Sequence, residues 1–201
     1  MKSKYILTSL AILSATTFTA NATTIRPFVG ATMGVQNVVY SDDAKDFEKS
    51  EHIDLPTDFF TFGLEAGARF GEYDKIYNYG FSLNVDKSTY SKIKNKFTDH
   101  TYANLDNFAI SSTFDNYIRL KSNKRIDLVL GAGLGAFAYH IDKGEDKTLY
   151  SFTPVIKVGL DFELTNHITL SGIARVFIPT RGGEYKTEAS GIFGGAVKYV
   201  F

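Results

Sequence analysis

The sequence predicts an all-β chain that folds as an eight-stranded antiparallel transmembrane up-and-down β-barrel. Apolar and polar residues alternate with a period of two in eight segments, which is typical of strands with one apolar face. Several segments have ten or more residues, whereas globular strands have roughly 5–6 and a tilted membrane-spanning strand needs ~9–11. Short and long connections alternate along the chain, as in membrane-spanning barrels.

The first four predicted strands differ in how regular the alternation is. The odd positions of Ile25–Val35 are apolar, and the even positions are mostly polar or small. Phe60–Phe70 and Tyr77–Asp86 repeat this pattern with Gly, Ser, Asn and charged residues on the second face. Asn107–Arg119 is weaker because a serine interrupts its apolar face.

The last four predicted strands are Ile126–Phe137, Phe152–Leu164, Ile168–Ile178 and Ser190–Phe201. In the fifth strand, leucine and alanine alternate with a face rich in glycine, and the sixth strand is the most regular of all. Pro154 lies within the sixth strand and cannot donate a ladder hydrogen bond, so we expect a bulge or a late strand start there.

The connections predict which strand ends share one side of the barrel. The short turns are Gly71–Lys75, Ser122–Lys124 and Thr165–His167, and the longer connections are Asn37–Asp58, Lys87–Tyr102, Asp142–Thr148 and Thr180–Glu188. In membrane barrels short turns face the periplasm and longer loops the cell exterior. We therefore expect Phe201 at the periplasmic end.

The N-terminus predicts an export signal. Lys2 and Lys4 precede an apolar stretch, Tyr5–Ala15, and the small-x-small sequence Ala20-Asn21-Ala22 places cleavage after Ala22. Residues 1–22 are thus expected to be a cleaved signal peptide and residues 23–201 the barrel domain. An exported chain without cysteine fits the envelope of a Gram-negative bacterium.

Composition excludes several classes of function. The chain has 22 basic and 22 acidic residues, so it has no basic excess for neutralising phosphates, and no nucleic-acid partner is expected. It has no cysteine, which excludes disulfides and thiolate metal sites. No cofactor is expected.

The polar faces favour a membrane barrel over a soluble one, which keeps its apolar residues inside. Charged residues mixed with many glycines suit the tight interior of eight strands. The charged set is Arg26, Glu65, Arg69, Asp115, Arg119, Lys157, Asp161, Glu163, Arg175 and Lys198. The apolar faces predict two aromatic belts, as lipid interfaces favour: Phe70, Tyr77, Tyr79, Phe162, Tyr199 and Phe201 at one end, and Phe60, Phe62, Tyr150 and Phe152 at the other.

The lumen charges admit two interpretations. A salt-bridged plug would satisfy buried ions, since an unpaired buried charge is expensive. The alternative is a narrow path for ions. The sequence favours the plug.

With its export signal, eight alternating strands and C-terminal segment Gly194–Phe201, the chain resembles the small outer-membrane β-barrel superfamily. That group includes the outer membrane protein A transmembrane domain and the opacity-type surface antigens. The resemblance implies that Tyr199 and Phe201 form the C-terminal signal read by the barrel assembly machinery. It covers essentially residues 23–201.

Two of the long connections carry opposite charge. Residues 41–58 contain seven acidic residues and two lysines, whereas residues 87–100 contain Lys87, Lys92, Lys94 and Lys96 against one aspartate. These connections are expected to pair with each other. Alternatively, the lysines contact anionic lipopolysaccharide or host glycans.

Residues for catalysis or metal binding are few. His52, His100, His140 and His167 fall in or near connections, and no nucleophile motif accompanies them. The acidic run Asp42–Asp46 lacks a calcium-loop spacing. No enzyme activity and no metal site are expected.

The sequence thus predicts an integral outer-membrane protein whose exposed loops serve adhesion or recognition. A narrow passive pore for ions or small solutes is the alternative, and an acyltransferase or lipase at the rim is a distant third. The expected partners are outer-membrane lipid and lipopolysaccharide, the assembly machinery and a host surface ligand.

Overall fold

The computed structural model describes residues 24–40, 42–72, 75–98, 100–120, 125–142, 146–178 and 187–201. The predicted signal peptide, the turn Ser122–Lys124 and most of the connection Thr180–Glu188 lie outside the described residues. No helix in the described part of the chain is long and apolar enough to cross a membrane.

The described chain contains ten strands and one short helix. The elements are β1 (Ile25–Tyr40), α1 (Asp42–Ser50), β2 (Ile53–Asp54), β3 (Asp58–Phe70), β4 (Tyr77–Ser88), β5 (Ser91–Asn95), β6 (Thr101–Arg119), β7 (Ile126–Asp142), β8 (Asp146–Glu163), β9 (Ile168–Phe177) and β10 (Thr187–Val200).

Eight of these strands close an antiparallel barrel in the order β1-β3-β4-β6-β7-β8-β9-β10, and β10 pairs back onto β1. A path followed across the paired residues from Arg26 returns to β1 at Gln36, ten residues further along the strand. This stagger tilts the strands by roughly 35–45°. The predicted fold class is confirmed.

The predicted faces of the eight strands are also confirmed. In β1, Val29 and Met33 are exposed on the outside, whereas Phe28 and Thr32, the residues directly before them, are buried in the lumen. Every later barrel strand also places charged residues on its inward face. The pleat puts successive side chains on opposite faces, so the pattern alone determines which residues fill the lumen.

The loop end of the barrel, where the longer connections lie, is more regular than the sequence predicts. The connection Asn37–Asp58 contains α1 and β2, and the connection Lys87–Tyr102 contains β5. Strand β5 pairs with β2 and with Thr101–Leu105 of β6. These short strands extend the sheet beyond the barrel, and the sequence pattern does not predict them.

The prediction of a bulge or a late start at Pro154 is also wrong. Strand β8 runs without interruption from Asp146, and Pro154 pairs with Leu134 of β7 in continuous register. The Pro154 carbonyl accepts a hydrogen bond from Ile178 N at 3.1 Å. The nitrogen side of Pro154 therefore faces the end of β9, where the ladder has ended, and its missing donor interrupts no pairing.

An apolar cluster fills the loop end of the lumen. Ile53, Leu55 and Ile93, from the connections, pack there against residues of the barrel wall such as Phe59 and Phe137. The Phe137 ring lies 4.3 Å from that of Phe177, centroid to centroid. The extra strands thus close the barrel with a hydrophobic layer.

Candidate functional site

Below the apolar layer, three ion pairs cross the full width of the lumen. Lys157 Nζ on β8 donates to Glu65 Oε1 on β3 at 2.7 Å. Arg69 on β3 donates to Asp161 on β8, and Arg175 on β9 donates to both carboxylate oxygens of Asp86 on β4, at 2.5 and 2.8 Å. In the closed strand order β3 is opposite β8 and β4 opposite β9. We call these three pairs the crossbars.

A second group of charges closes the turn end of the lumen, where the short turns lie. Arg119 donates to Asp127 Oδ1 at 2.8 Å and to Glu163 Oε1 at 2.6 Å. Arg69 also contacts Asp127 Oδ2 at 3.0 Å, and Arg26 Nη1 lies 4.0 Å from Glu163 Oε1. This group links the turn-end charges to the nearest crossbar.

Hydroxyl groups complete the network around Lys157. Lys157 Nζ donates to Asp115 Oδ2 and to Ser82 Oγ, both at 2.9 Å. The hydroxyls of Ser82 and Thr113 each donate to Asp115 at 2.8 Å. Lys198 Nζ stands 3.3 Å from Glu65 Oε2. Each charge in the centre of the lumen therefore has an opposite charge or a hydroxyl within reach.

The structure brings all ten predicted lumen charges into this network. It adds Asp86 and Asp127, which the predicted set omits although their odd or even positions place them on the polar faces. Applying the period-two pattern to every charged residue of the strands would have assigned both aspartates to the lumen. Their partners, Arg175 and Arg119, could not be read from the sequence because the pairs join different strands.

Within the described chain the network holds six cations (Arg26, Arg69, Arg119, Lys157, Arg175, Lys198) and six anions (Glu65, Asp86, Asp115, Asp127, Asp161, Glu163). Balanced charge avoids leaving an uncompensated buried charge, which would be strongly destabilising. A cavity beside the Arg175–Asp86 crossbar has a volume of about 10 Å³, space for one water molecule. This geometry favours the plug over the ion path.

The loop-end lysines do not form one uniform surface. Lys96 Nζ donates to Glu48 Oε1 of α1 at 2.9 Å, and Lys94 pairs across the sheet with Asp54 of β2. The predicted pairing between the two connections is therefore seen at these positions. Lys92 points outward from β5, and Lys87 lies lower, on β4, with its Nζ 3.5 Å from Asp106 Oδ2.

The turn between β5 and β6 is held in place. Asn95 Oδ1 accepts hydrogen bonds from the backbone N–H groups of Phe97 and Thr98, at 3.0 and 3.1 Å. Lys96 N donates to the carbonyl of His52 at 2.7 Å, and the His52 ring lies edge-on to that of Phe97, 4.9 Å away. These contacts hold the turn in one conformation, in which the Phe97 side chain is 78% exposed.

The C-terminal aromatic residues lie on the outside of the turn end. The rings of Tyr199 and His167 stack 5.7 Å apart, and Phe201 packs edge-on to Tyr199. Phe201 N donates to Pro27 O at 2.9 Å, which ties the end of the chain to β1. Both predicted signal residues therefore present exposed rings at the barrel edge.

Two side chains of types that serve in catalysis, Ser88 and His167, make structural contacts instead. Ser88 is buried, and its Oγ accepts a hydrogen bond from Asn107 N at 2.8 Å. His167 Nδ1 lies 2.9 Å from the Val200 carbonyl in a short turn. Among the described residues, no three His, Asp or Glu side chains form a group suited to a metal ion.

The outer surface carries the reverse polarity of a soluble barrel. Leu64, Leu134 and Val197 project outward from the middle of their strands, and aromatic residues form belts at both ends. The turn-end belt includes Tyr77, Tyr79, Phe162, Tyr199 and Phe201, and the loop-end belt includes Phe60, Phe62, Phe108 and Phe152; the side chain of Tyr150 lies outside the described part. A charged interior within an apolar exterior defines an integral outer-membrane β-barrel.

Comparison with known proteins agrees at the level of the fold. Neisserial surface protein A shares 16% sequence identity, with a TM-score of 0.61 over 87% of this chain and 97% of that one. Ail, the attachment invasion locus protein of Yersinia pestis, shares 12% identity, with a TM-score of 0.58 over 88% and 98%. Ail in complex with the heparin analogue sucrose octasulfate gives 11% identity and a TM-score of 0.59 over 88% and 99%. No family model and no curated protein sequence matches the chain.

Proposed function

We propose that this protein is a surface recognition protein whose barrel anchors an ordered extracellular surface and does not conduct. The observation that carries the proposal is the filled lumen. Three crossbars span it, and an apolar layer closes it above them. A pore would require both barriers to open, whereas recognition needs only the loop end.

The loop end has the order that recognition requires. Helix α1, β2 and β5 are joined by the Lys96–Glu48 ion pair and by backbone pairing. Ile53 and Ile93 fix them to the apolar layer below. Because such a surface loses little conformational freedom when it binds a partner, it favours affinity.

We infer that the ligand is an anionic glycan, either of the host or of lipopolysaccharide. Lys92 and Lys94 occupy alternate, outward positions on β5, so their side chains stand ~6.6 Å apart along one face. Lys96 follows in the turn after β5 and is also exposed. Ail, of the same fold, has been crystallised with a heparin analogue. A row of cations on an ordered strand is complementary to such a polyanion.

The test measures binding of the refolded barrel to an immobilised sulfated glycan at physiological salt. Neutralising Lys92, Lys94 and Lys96 to glutamine is expected to reduce binding by about tenfold or more. The matched control neutralises Lys45, Lys49 and Lys75, which are also exposed and carry the same total charge. Equal losses in both variants would contradict a specific site.

Planar-bilayer conductance of the same barrel tests the alternative. The filled lumen predicts a folded protein without conductance steps. Reproducible steps would favour the pore for ions or small solutes and would contradict the proposal.

We also propose that the barrel assembly machinery recognises Tyr199 and Phe201. Their exposed rings at the edge between β1 and β10 support this role. Neither ring packs in the lumen, so packing of the interior does not explain why these two positions are aromatic.

A further inference from the structure

We propose that Lys87 and Tyr90 bind the phosphate group of a glycolipid in the outer leaflet of the membrane. This inference rests on the proposed function, in which the loop end faces the cell exterior. It assigns Lys87 a ligand different from that of the β5 lysines.

Lys87 lies within the loop-end aromatic belt. Its cross-strand neighbours are Phe62 of β3 and Phe108 of β6, and both rings project outward. A cation on the lipid face is strongly unfavourable at the bilayer centre and is tolerated near the interface. A lysine in the belt can extend its ammonium group to the headgroup level, where lipid phosphates lie.

Lys87 is unusual in this position. Among the described strand residues between the two aromatic belts, it is the only cation on an outward face, since the others lie in the lumen. Its side chain is 48% exposed. A single accessible cation at the interface is complementary to an anionic headgroup.

The neighbours of Lys87 leave its outer side open. Asp106 Oδ2 lies 3.5 Å from Nζ, but the Asp106 side chain is only 9% exposed, so an approaching lipid meets the ammonium group and not the carboxylate. The Tyr90 ring lies 5.8 Å from Nζ and is 67% exposed. Its hydroxyl group supplies a second donor for phosphate oxygens.

The β5 lysines stand too far from the belt to share this ligand. Lys92 pairs with Asn104 and Lys94 with Thr101, four and seven residues beyond Phe108 on β6. With ~3.3 Å per residue and a tilt of roughly 40°, this places Lys92 about 10 Å and Lys94 about 15–20 Å above the belt. Lys87 is thus the lysine that lies at the level of the lipid headgroups.

The test uses native mass spectrometry of the refolded barrel with a bisphosphorylated lipid A or with the same lipid after phosphatase treatment. We expect the phosphorylated lipid to bind at least tenfold better, and Lys87→Gln to remove this preference. Tyr90→Phe should weaken it in part. The control Lys75→Gln, an exposed lysine paired with Glu72 at the turn end, should leave it unchanged.

Equal retention of both lipids by the unaltered barrel would overturn the inference, and so would an unchanged preference in Lys87→Gln. Displacement of the lipid by millimolar inorganic phosphate would assign the site to free phosphate and overturn it as well. Lys87→Gln should still bind the immobilised sulfated glycan. If the unaltered barrel binds the glycan but shows no phosphate-dependent lipid binding, only this inference is refuted, whereas absence of glycan binding in the unaltered barrel refutes the proposed function.

Discussion

Replacing Lys157 by methionine removes the cation of the central crossbar with little change in volume. Lys157 Nζ contacts Glu65 at 2.7 Å and Asp115 at 2.9 Å, and all three side chains are 1% exposed or less. Removing one partner of a buried ion pair costs about 3–5 kcal/mol. Glu65 still has Lys198 Nζ at 3.3 Å, so most of the effect comes from the Asp115 carboxylate, which is left without a cation. We therefore expect the free energy of unfolding to fall by about 3 kcal/mol, near the lower end of that range.

A second substitution tests the reason for that loss. Adding Asp115→Asn to Lys157→Met restores the charge balance of the lumen and retains an oxygen for the hydroxyls of Ser82 and Thr113. We expect it to recover the free energy of unfolding to within about 1 kcal/mol of the original protein.

The assay is equilibrium unfolding in urea of the barrel refolded in lipid vesicles. Circular dichroism and electrophoretic mobility follow the transition, because the chain has no tryptophan. The control is Lys75→Met, since the exposed Lys75–Glu72 pair at 3.4 Å should contribute less than about 1 kcal/mol. A loss for Lys157→Met no larger than the control's, or no recovery in the double variant, would refute the reasoning.

Three further substitutions probe other parts of the barrel. Gly131→Val places a side chain against the Asp115 carboxylate, and urea unfolding should show a loss of about 1–3 kcal/mol; an unchanged midpoint would contradict the tight lumen. Phe137→Ala removes the ring 4.3 Å from Phe177 and should cost about 3–5 kcal/mol, yet bilayers should record no conductance while the crossbars remain. Phe201→Ala should lower outer-membrane abundance several-fold on immunoblots without shifting the urea midpoint, because the ring is 64% exposed; normal abundance would argue against a signal role.

The barrel and the composition of its interior could be predicted from local pattern. Alternation from Ile126 to Phe137 places Asp127 and three glycines inside and the leucines outside, because a pleated strand has only two faces. The ordered parts of the loop end were missed. Strand β5 has five residues and β2 has two, too few for a period to stand out from chance.

The pairing of the lumen charges could not be predicted. Arg69 and Asp161 are separated by 92 residues, as are Lys157 and Glu65. Which charges meet depends on the strand order and on the ten-residue stagger that sets their heights. Neither quantity is encoded in any one segment.

By itself, the sequence determined that this chain is a barrel with an apolar exterior and a charged, glycine-rich lumen, since period-two alternation directly specifies the two faces of each strand. Only the tertiary structure decided that the lumen is closed twice, by the crossbars and by the apolar layer of Ile53, Leu55 and Ile93. Closure depends on side chains from opposite walls and distant connections meeting in three dimensions. These contacts depend on the strand order, on the stagger and on how the connections fold over the barrel.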